Sequence, residues 1–281
     1  MSAHVEHFTY GWLTPGLSYT LSVIGSLLGL VCTVRARAMT DNKRRARWLI
    51  LAAWAIGGTG IWVMHFMAMI GFTVPGQTLR YDIATTVASW ITAIVVVGIG
   101  LFIVGFGRPS AIKVVTAGVF MGVGVAAMHY TGMGAMRLAG VSRYDTRTVA
   151  LSVAIAVVAS TVALWFTVVV QKGGAITVAA LIMGVAVNGM HFTGMYALRV
   201  FIQETNKPVE GITAITFIAP IAVFVVAVVV TLFYALLNRS GADGLDDTLP
   251  PPPPAPVTPP TFVPQPTRRS TPSTFVPRPT R

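Results

Sequence analysis

The chain has 281 residues, of which 54% are hydrophobic and only 10% are charged, and its formal net charge is +11. A soluble domain usually carries about 25% charged residues, so this composition excludes an ordinary soluble globular protein. The positive charge does not indicate a nucleic-acid partner. The basic residues lie in short segments between apolar runs and in the C-terminal segment, which is what orientation in a membrane requires.

Seven apolar runs follow one another along the chain, each close to the roughly 20 residues that span a bilayer as a helix. They predict an all-α polytopic membrane protein with the lipid bilayer as its surroundings. The predicted spans are residues 12–34, 48–72, 83–106, 111–135, 147–170, 174–197 and 212–237.

The basic residues between the spans predict the orientation. The first connection holds six basic residues and a single acidic one, Asp41, and the third and fifth connections are also basic. The even connections mix both signs. Because short basic loops stay in the cytoplasm, we expect the N-terminus outside and the C-terminus in the cytoplasm.

A motif around a histidine recurs three times within the predicted spans. His65, His129 and His191 lie 64 and 62 residues apart. Each follows a methionine, each precedes another methionine by four residues, and a glycine stands seven residues before each of them. These flanking residues are Met64, Met128 and Met190, then Met69, Met133 and Met195, and Gly58, Gly122 and Gly184.

The stretches upstream of the motifs also repeat. "RYD" occurs at 80–82 and 143–145, and a serine follows each aspartate by seven residues, with Tyr10 and Ser18 as a trace in the first copy. We therefore predict a membrane domain over residues 8–237. It consists of three two-helix repeats over about 10–72, 81–135 and 144–197, with a final helix over 212–237. All three motifs should lie at one depth, near the outer face.

The motif residues have the chemistry of a soft metal site. Residues four apart share one face of a helix, so each histidine and the methionine after it point the same way. Imidazole and thioether together suit copper, Cu(I) above all, better than magnesium or calcium. An ionisable residue inside a membrane is functional by default, although a lone histidine or methionine more often serves packing.

The three motifs, "MHFM" at 64–67, "MHYT" at 128–131 and "MHFT" at 190–193, resemble those of the MHYT family of bacterial integral membrane sensors. The resemblance covers about residues 8 to 237. It implies a multi-pass protein of the bacterial cytoplasmic membrane that binds copper through the Met, His and Tyr positions and senses oxygen, CO or NO. Tyr130 would then be a ligand as well. Phe66 and Phe192 replace this tyrosine in the other two copies.

Many members of that family carry a cyclase or phosphodiesterase domain after the sensor. Here 44 residues follow Leu237, and this Pro-rich segment, 238–281, is predicted to be a disordered cytoplasmic tail. We therefore expect a non-catalytic chain that signals through an unknown cytoplasmic partner. Three alternatives remain open: a transporter, a protein that handles metal ions, and a haem protein with two histidine ligands.

Overall fold

The computed structural model describes residues 3–203 and 208–237. The predicted all-α membrane fold is confirmed. Six helical segments are long and apolar enough to span a membrane, and a seventh apolar helix follows them. The helices are α1 Leu13–Ala38, α2 Asn42–Ala53, α3 Met64–Ile70, α4 Ile83–Gly105, α5 Ala111–Gly134, α6 Thr146–Val169, α7 Gly173–Tyr196 and α8 Ile218–Leu237. The predicted tail, 238–281, lies outside the described residues.

Polar side chains cap the starts of α2, α4, α5 and α6. The two "RYD" aspartates are equivalent N-caps: Asp82 accepts from the Thr85 amide at the start of α4, and Asp145 accepts from the Thr148 amide at the start of α6. Asp41 caps α2 in the same way. Such caps satisfy amide groups that have no partner inside the helix, so these helices have a defined first turn.

The six long segments form a closed ring. Consecutive segments pack against each other, and the last of them, α7, packs against α1. The histidine-bearing helix of each repeat thus contacts the first helix of the next repeat, and the third repeat contacts the first. The fold has an approximate threefold axis, because three equivalent two-helix units close on themselves.

The outer surface of the ring is apolar, and its largely apolar interior also buries polar side chains. On α4 the exposed residues recur every fourth position as Ile83, Val87, Ile91, Val95 and Ile99, which is one face of a helix. The fully buried residues include the equivalent serines Ser18, Ser89 and Ser152. This inside-out pattern is that of a bundle surrounded by lipid with a polar site inside it.

Short strands, which the sequence analysis did not predict, tie the ends of the repeats together. β1 (Arg80–Tyr81) pairs with β2 (Met136–Arg137), and β3 (Gly140–Tyr144) pairs with β4 (Leu198–Ile202), both antiparallel. A single antiparallel bridge between Glu6 and Thr73 takes their place in the first repeat. In each repeat the segment before the first helix is therefore fastened to the segment after the second.

The second span is not a continuous α-helix. Between α2 and α3 the residues Trp54–Val63 form a π-helix, a form with hydrogen bonds five residues apart that often occurs at functional sites. The equivalent parts of α5 and α7 are ordinary α-helix. The first repeat is thus distinct in its backbone as well as in its motif.

The π-helix corrects one part of the predicted repeat. A Cβ on Gly122 would meet Ala156 and Val157, which follow Ser152 by four and five residues. The glycine of the first repeat in the corresponding place is Gly57, since a Cβ there would meet Ala93 and Ile94, four and five residues after Ser89. Gly58 is therefore not the structural equivalent, and the first repeat has one more residue between glycine and histidine.

The last helix packs against this irregular segment. Phe224 of α8 lies against Trp54 and Trp90, with ring centroids 5.8 and 5.5 Å away, and a Cβ on Gly58 would meet its ring. Of the three repeats, the first is consequently the one whose histidine-bearing segment is in contact with α8.

Candidate metal centre

The three motif histidines meet inside the ring and form what we call the histidine cluster: His65, His129 and His191. His65 Nδ1 lies 2.9 Å from His191 Nδ1 and 3.1 Å from His129 Nδ1. The rings stand edge to face with centroids 4.9 to 5.1 Å apart, and each residue is 1% exposed. Side chains that are 64 and 62 residues apart thus share one buried point.

The two nitrogens of each ring have different surroundings. The Nδ1 atoms converge, whereas all three Nε2 atoms are buried without a hydrogen-bond partner among the described residues. A Cβ on Gly132 would overlap Nε2 of His65, and one on Gly194 would overlap Nε2 of His129. Close backbone thus encloses the Nε2 side of at least two rings, and Nδ1 is the atom that each ring offers to the centre.

These glycines are a functional feature that the sequence analysis did not assign. Gly132 and Gly194 both follow their own histidine by three residues and both receive the histidine of the preceding repeat. The first repeat has Ala68 at this position. The shared glycine is visible in the sequences "HYTGM" and "HFTGM". The sequence does not reveal, however, that this glycine makes room for the histidine of another repeat.

The six motif methionines are buried as completely as the histidines. Each is 1 to 2% exposed, and the second methionine of each copy lies one helical turn beyond its histidine, in the last turns of α3, α5 and α7. Six polarisable thioether side chains are therefore buried in the same helix segments as the three imidazoles. They are Met64, Met69, Met128, Met133, Met190 and Met195.

Tyr130 has a defined partner within the bundle. Its hydroxyl lies 2.6 Å from Ser152 Oγ on α6. The equivalent serines make similar interhelical bonds, since Ser89 accepts from Trp62 Nε1 at 3.0 Å and Ser18 donates to Asn188 Oδ1 at 2.9 Å. Trp62 and Asn188 each precede the motif histidine by three residues, and the sequence analysis assigned them no role.

The geometry of the histidine cluster fits a small transition-metal ion. Imidazole nitrogens bind zinc, for example, at about 2.0 to 2.1 Å, so three of them around one ion lie about 3.3 to 3.6 Å apart. The observed separations of 2.9 and 3.1 Å need to widen by only a few tenths of an ångström. Moreover, the three rings contact one another only through Nδ1, so their Nε2 atoms stay without a hydrogen-bond partner among the described residues.

The acidic residues at this end of the bundle serve the backbone. Hydrogen bonds from Thr85 hold the pKa of Asp82 below its usual range, and hydrogen bonds from Thr148 do the same for the pKa of Asp145. Both carboxylates are helix caps, and the group of potential metal ligands found among the described residues consists of the three histidines. This group offers imidazole nitrogen, a donor that suits zinc, copper, iron or nickel rather than magnesium or calcium.

Comparison with known proteins identifies the repeat. The family model described as "Bacterial signalling protein N terminal repeat", MHYT, matches three times, at residues 58–117, 122–180 and 184–244. The resemblance noted from the motifs is thereby confirmed. Each match begins at the glycine that precedes a motif histidine by seven residues. The first two matches continue through the first helix of the next repeat, whereas the third continues into α8.

Several relatives are signalling proteins. The chain is 31% identical over 241 residues to the bifunctional diguanylate cyclase/cyclic di-GMP phosphodiesterase MucR of Pseudomonas aeruginosa. The aligned region covers 82% of this chain and 35% of that protein. It is 30% identical over 212 residues to the cyclic di-GMP phosphodiesterase NbdA of the same species, covering 73% and 26%.

A more distant relative comes from another organism. The chain is 28% identical over 244 residues to the signalling protein YkoW of Bacillus subtilis, covering 84% of this chain and 30% of that protein. The chain thus spans about a third or less of the length of these relatives. No solved structure matches it.

Proposed function

Because the chain belongs to the MHYT family of bacterial signalling proteins, we propose that it is a membrane sensor domain whose histidine cluster binds copper. The observation that supports this most is the convergence of three buried Nδ1 atoms: those of His129 and His191 both lie within hydrogen-bond distance of His65 Nδ1. A buried polar group without partners is costly, and a cluster of three is retained because a ligand completes it.

The residues of the chain have separate roles in this proposal. His65, His129 and His191 hold the ion through Nδ1, and a thioether from among the motif methionines completes a soft donor set. The buried backbone at Gly132 and Gly194 fixes the ring orientation. Bound copper would supply a one-electron redox couple and a coordination position for a diatomic ligand such as O₂, CO or NO. The surrounding helices exclude water from this point.

The alternatives are less well supported. A porphyrin between two of the imidazoles would have to separate rings whose centroids are about 5 Å apart and displace the third. Coupled transport typically uses acidic residues inside the spans, whereas Asp82 and Asp145 cap helices. We therefore prefer a sensor over a haem protein or a transporter, and a non-catalytic chain that acts on a cytoplasmic output partner.

The metal test uses the full chain purified in a maltoside detergent without chelators. We expect about one copper per chain by mass spectrometry of the metals, and at least a tenfold loss of Cu(I) affinity in His65→Ala, His129→Ala and His191→Ala. His4→Ala is the matched control, since His4 is exposed, and it should bind copper like the wild type. Equal metal content in all four variants would refute the site.

The orientation is part of the same proposal. With the N-terminus outside, the histidine cluster lies toward the outer face and α8 leads into the cytoplasm. A phosphatase reporter fused after Leu237 should be inactive and a cytoplasmic fluorescent reporter at the same place should mature. The opposite pair of results would move the cluster to the inner face and leave the metal site untouched.

A further inference from the structure

A second polar site lies at the other end of the bundle, in what we call the arginine cavity. This cavity of about 170 Å³ opens among the ends of α1, α4 and α6 and the start of α2. These ends are opposite the histidine cluster, because α4 and α6 finish where α5 and α7 begin. Its lining includes Thr33, Arg37, Arg45, Leu49, Leu101 and Thr167.

Arg37 is held in place by backbone. Its two terminal nitrogens donate to the carbonyls of Val168 and Val170 at the C-terminal end of α6. Carbonyls at a helix end carry partial negative charge, which positions the guanidinium. This contact does not neutralise the full positive charge of Arg37.

Arg45 has unused hydrogen-bonding capacity. One terminal nitrogen donates to the Met39 carbonyl at 2.7 Å, and the guanidinium lies 5.8 Å from the centroid of the Phe106 ring. Its Nε is buried and has no partner among the described residues. A donor in such a place is costly unless something accepts from it.

Among the described residues, the lining of the cavity includes no acidic side chain to balance these charges. None of its lining residues is Asp or Glu. Asp41, the nearest acidic residue in the sequence, accepts from the Lys43 and Arg44 amides as the cap of α2. Two partly buried guanidinium groups therefore line one cavity with carbonyl and aromatic partners, and without a carboxylate among the residues that line it.

We propose that the arginine cavity binds a phosphate group. Guanidinium matches phosphate oxygens in geometry and charge, and both Arg37 and Arg45 line the cavity. The volume is adequate, since a cavity of about 150 Å³ can hold benzene, a molecule with more heavy atoms than phosphate. The cavity lies where the spans end, at the level of lipid headgroups, so the group can come from an anionic phospholipid or from free phosphate.

The experiment measures thermal stability of the full chain in a maltoside detergent, which contains no phosphate. One series adds inorganic phosphate, and the other adds phosphatidylglycerol to the micelles. The wild type should show a saturable rise in melting temperature with at least one probe. A rise with phosphatidylglycerol alone assigns the site to lipid, and a rise with both assigns it to phosphate in general.

Variants locate the effect. Arg45→Gln should weaken binding about 10- to 100-fold, the equivalent of one charge-assisted hydrogen bond, and Arg45→Lys should be intermediate. Arg44→Gln is the control, because Arg44 is an exposed neighbour on the same helix turn. No shift with either probe in the wild type overturns the proposal even if a variant fails to fold. An unchanged affinity in Arg45→Gln overturns it as well.

Discussion

The two ends of the bundle use the same threefold arrangement of helices for opposite electrostatic purposes. At one end three imidazoles turn Nδ1 toward a common point. At the other end Arg37 and Arg45 line a cavity next to helix C-terminal carbonyls. The comparison teaches that the ring fixes positions, while the residues placed there decide the charge of the ligand that we propose for each end.

The largest expected effect comes from filling the space behind the histidines. In Gly132→Ala and Gly194→Ala the new Cβ overlaps Nε2 of His65 or of His129. Each should lower the free energy of unfolding by about 1 to 3 kcal/mol, as overpacking does, and should reduce copper affinity. Thermal unfolding and metal content measure the two effects.

Matched controls for these variants exist on the same helices. A Cβ on Gly134 of α5 or on Gly189 of α7 would meet nothing within 4 Å. Gly134→Ala and Gly189→Ala should therefore keep both stability and metal. If they behave like Gly132→Ala and Gly194→Ala, the close approach to the imidazoles is not the cause.

A smaller effect is expected at the arginine end. Arg37→Gln loses the charge-assisted bonds to the Val168 and Val170 carbonyls. The cost should be about 1 to 2 kcal/mol, because the guanidinium is partly solvated. Thermal unfolding measures it, with the exposed Arg108→Gln as control. Copper content should stay constant, and a loss of copper would mean that the two ends are not independent.

Tyr130→Phe separates a structural role from a ligand role. It removes the bond to Ser152 Oγ and creates the residue type found in the other two copies. We expect a loss of about 1 kcal/mol in unfolding free energy and unchanged copper binding. Tyr10→Phe, at an exposed position of the first repeat, is the control. Loss of copper in Tyr130→Phe alone would identify the phenol as a ligand.

The smallest effect concerns the caps at the histidine end. Hydrogen bonds from Thr85 and Thr148 lower the pKa of Asp82 and of Asp145 in the folded state. Their stabilisation is therefore present above the unfolded-state pKa of about 3.9 and is lost as pH falls through the lower, folded value. Melting temperature between pH 6 and 3 should fall less in Asp82→Asn and Asp145→Asn. If the melting temperature of the wild type fell by the same amount as that of the two variants, the caps would not be the cause of the acid sensitivity.

Much of this architecture could be predicted from the sequence. The apolar runs gave the helices, and the repeat placed His65, His129 and His191 at one depth. The ranking of the histidines could not be predicted. The first motif, "MHFM", differs most from the other two, yet Nδ1 of His65 is the atom that contacts both other histidines. Similarity between motifs shows which residues are equivalent in sequence. It does not show which of the three histidines lies between the other two in space.

The hydrogen bonds of the buried serines could not be predicted from the sequence either. Ser89 and Ser152 were recognisable as repeated serines, but their partners are Trp62 in one case and Tyr130 in the other. These partners occupy different positions relative to their histidines, so no fixed spacing links them. The packing between repeats determines which polar side chain reaches each buried serine hydroxyl.

The π-helix Trp54–Val63 accommodates a difference in length between the first repeat unit and the other two. Gly57 takes the place of Gly122 and Gly184, so the first unit contains one residue more before its histidine. In an α-helix one residue turns the chain by about 100° and advances it by 1.5 Å, which would rotate His65 away from its two counterparts. The wider helical turn absorbs this insertion. Descendants of a tandem duplication can thus gain a residue inside a transmembrane helix and still keep three side chains aimed at one point.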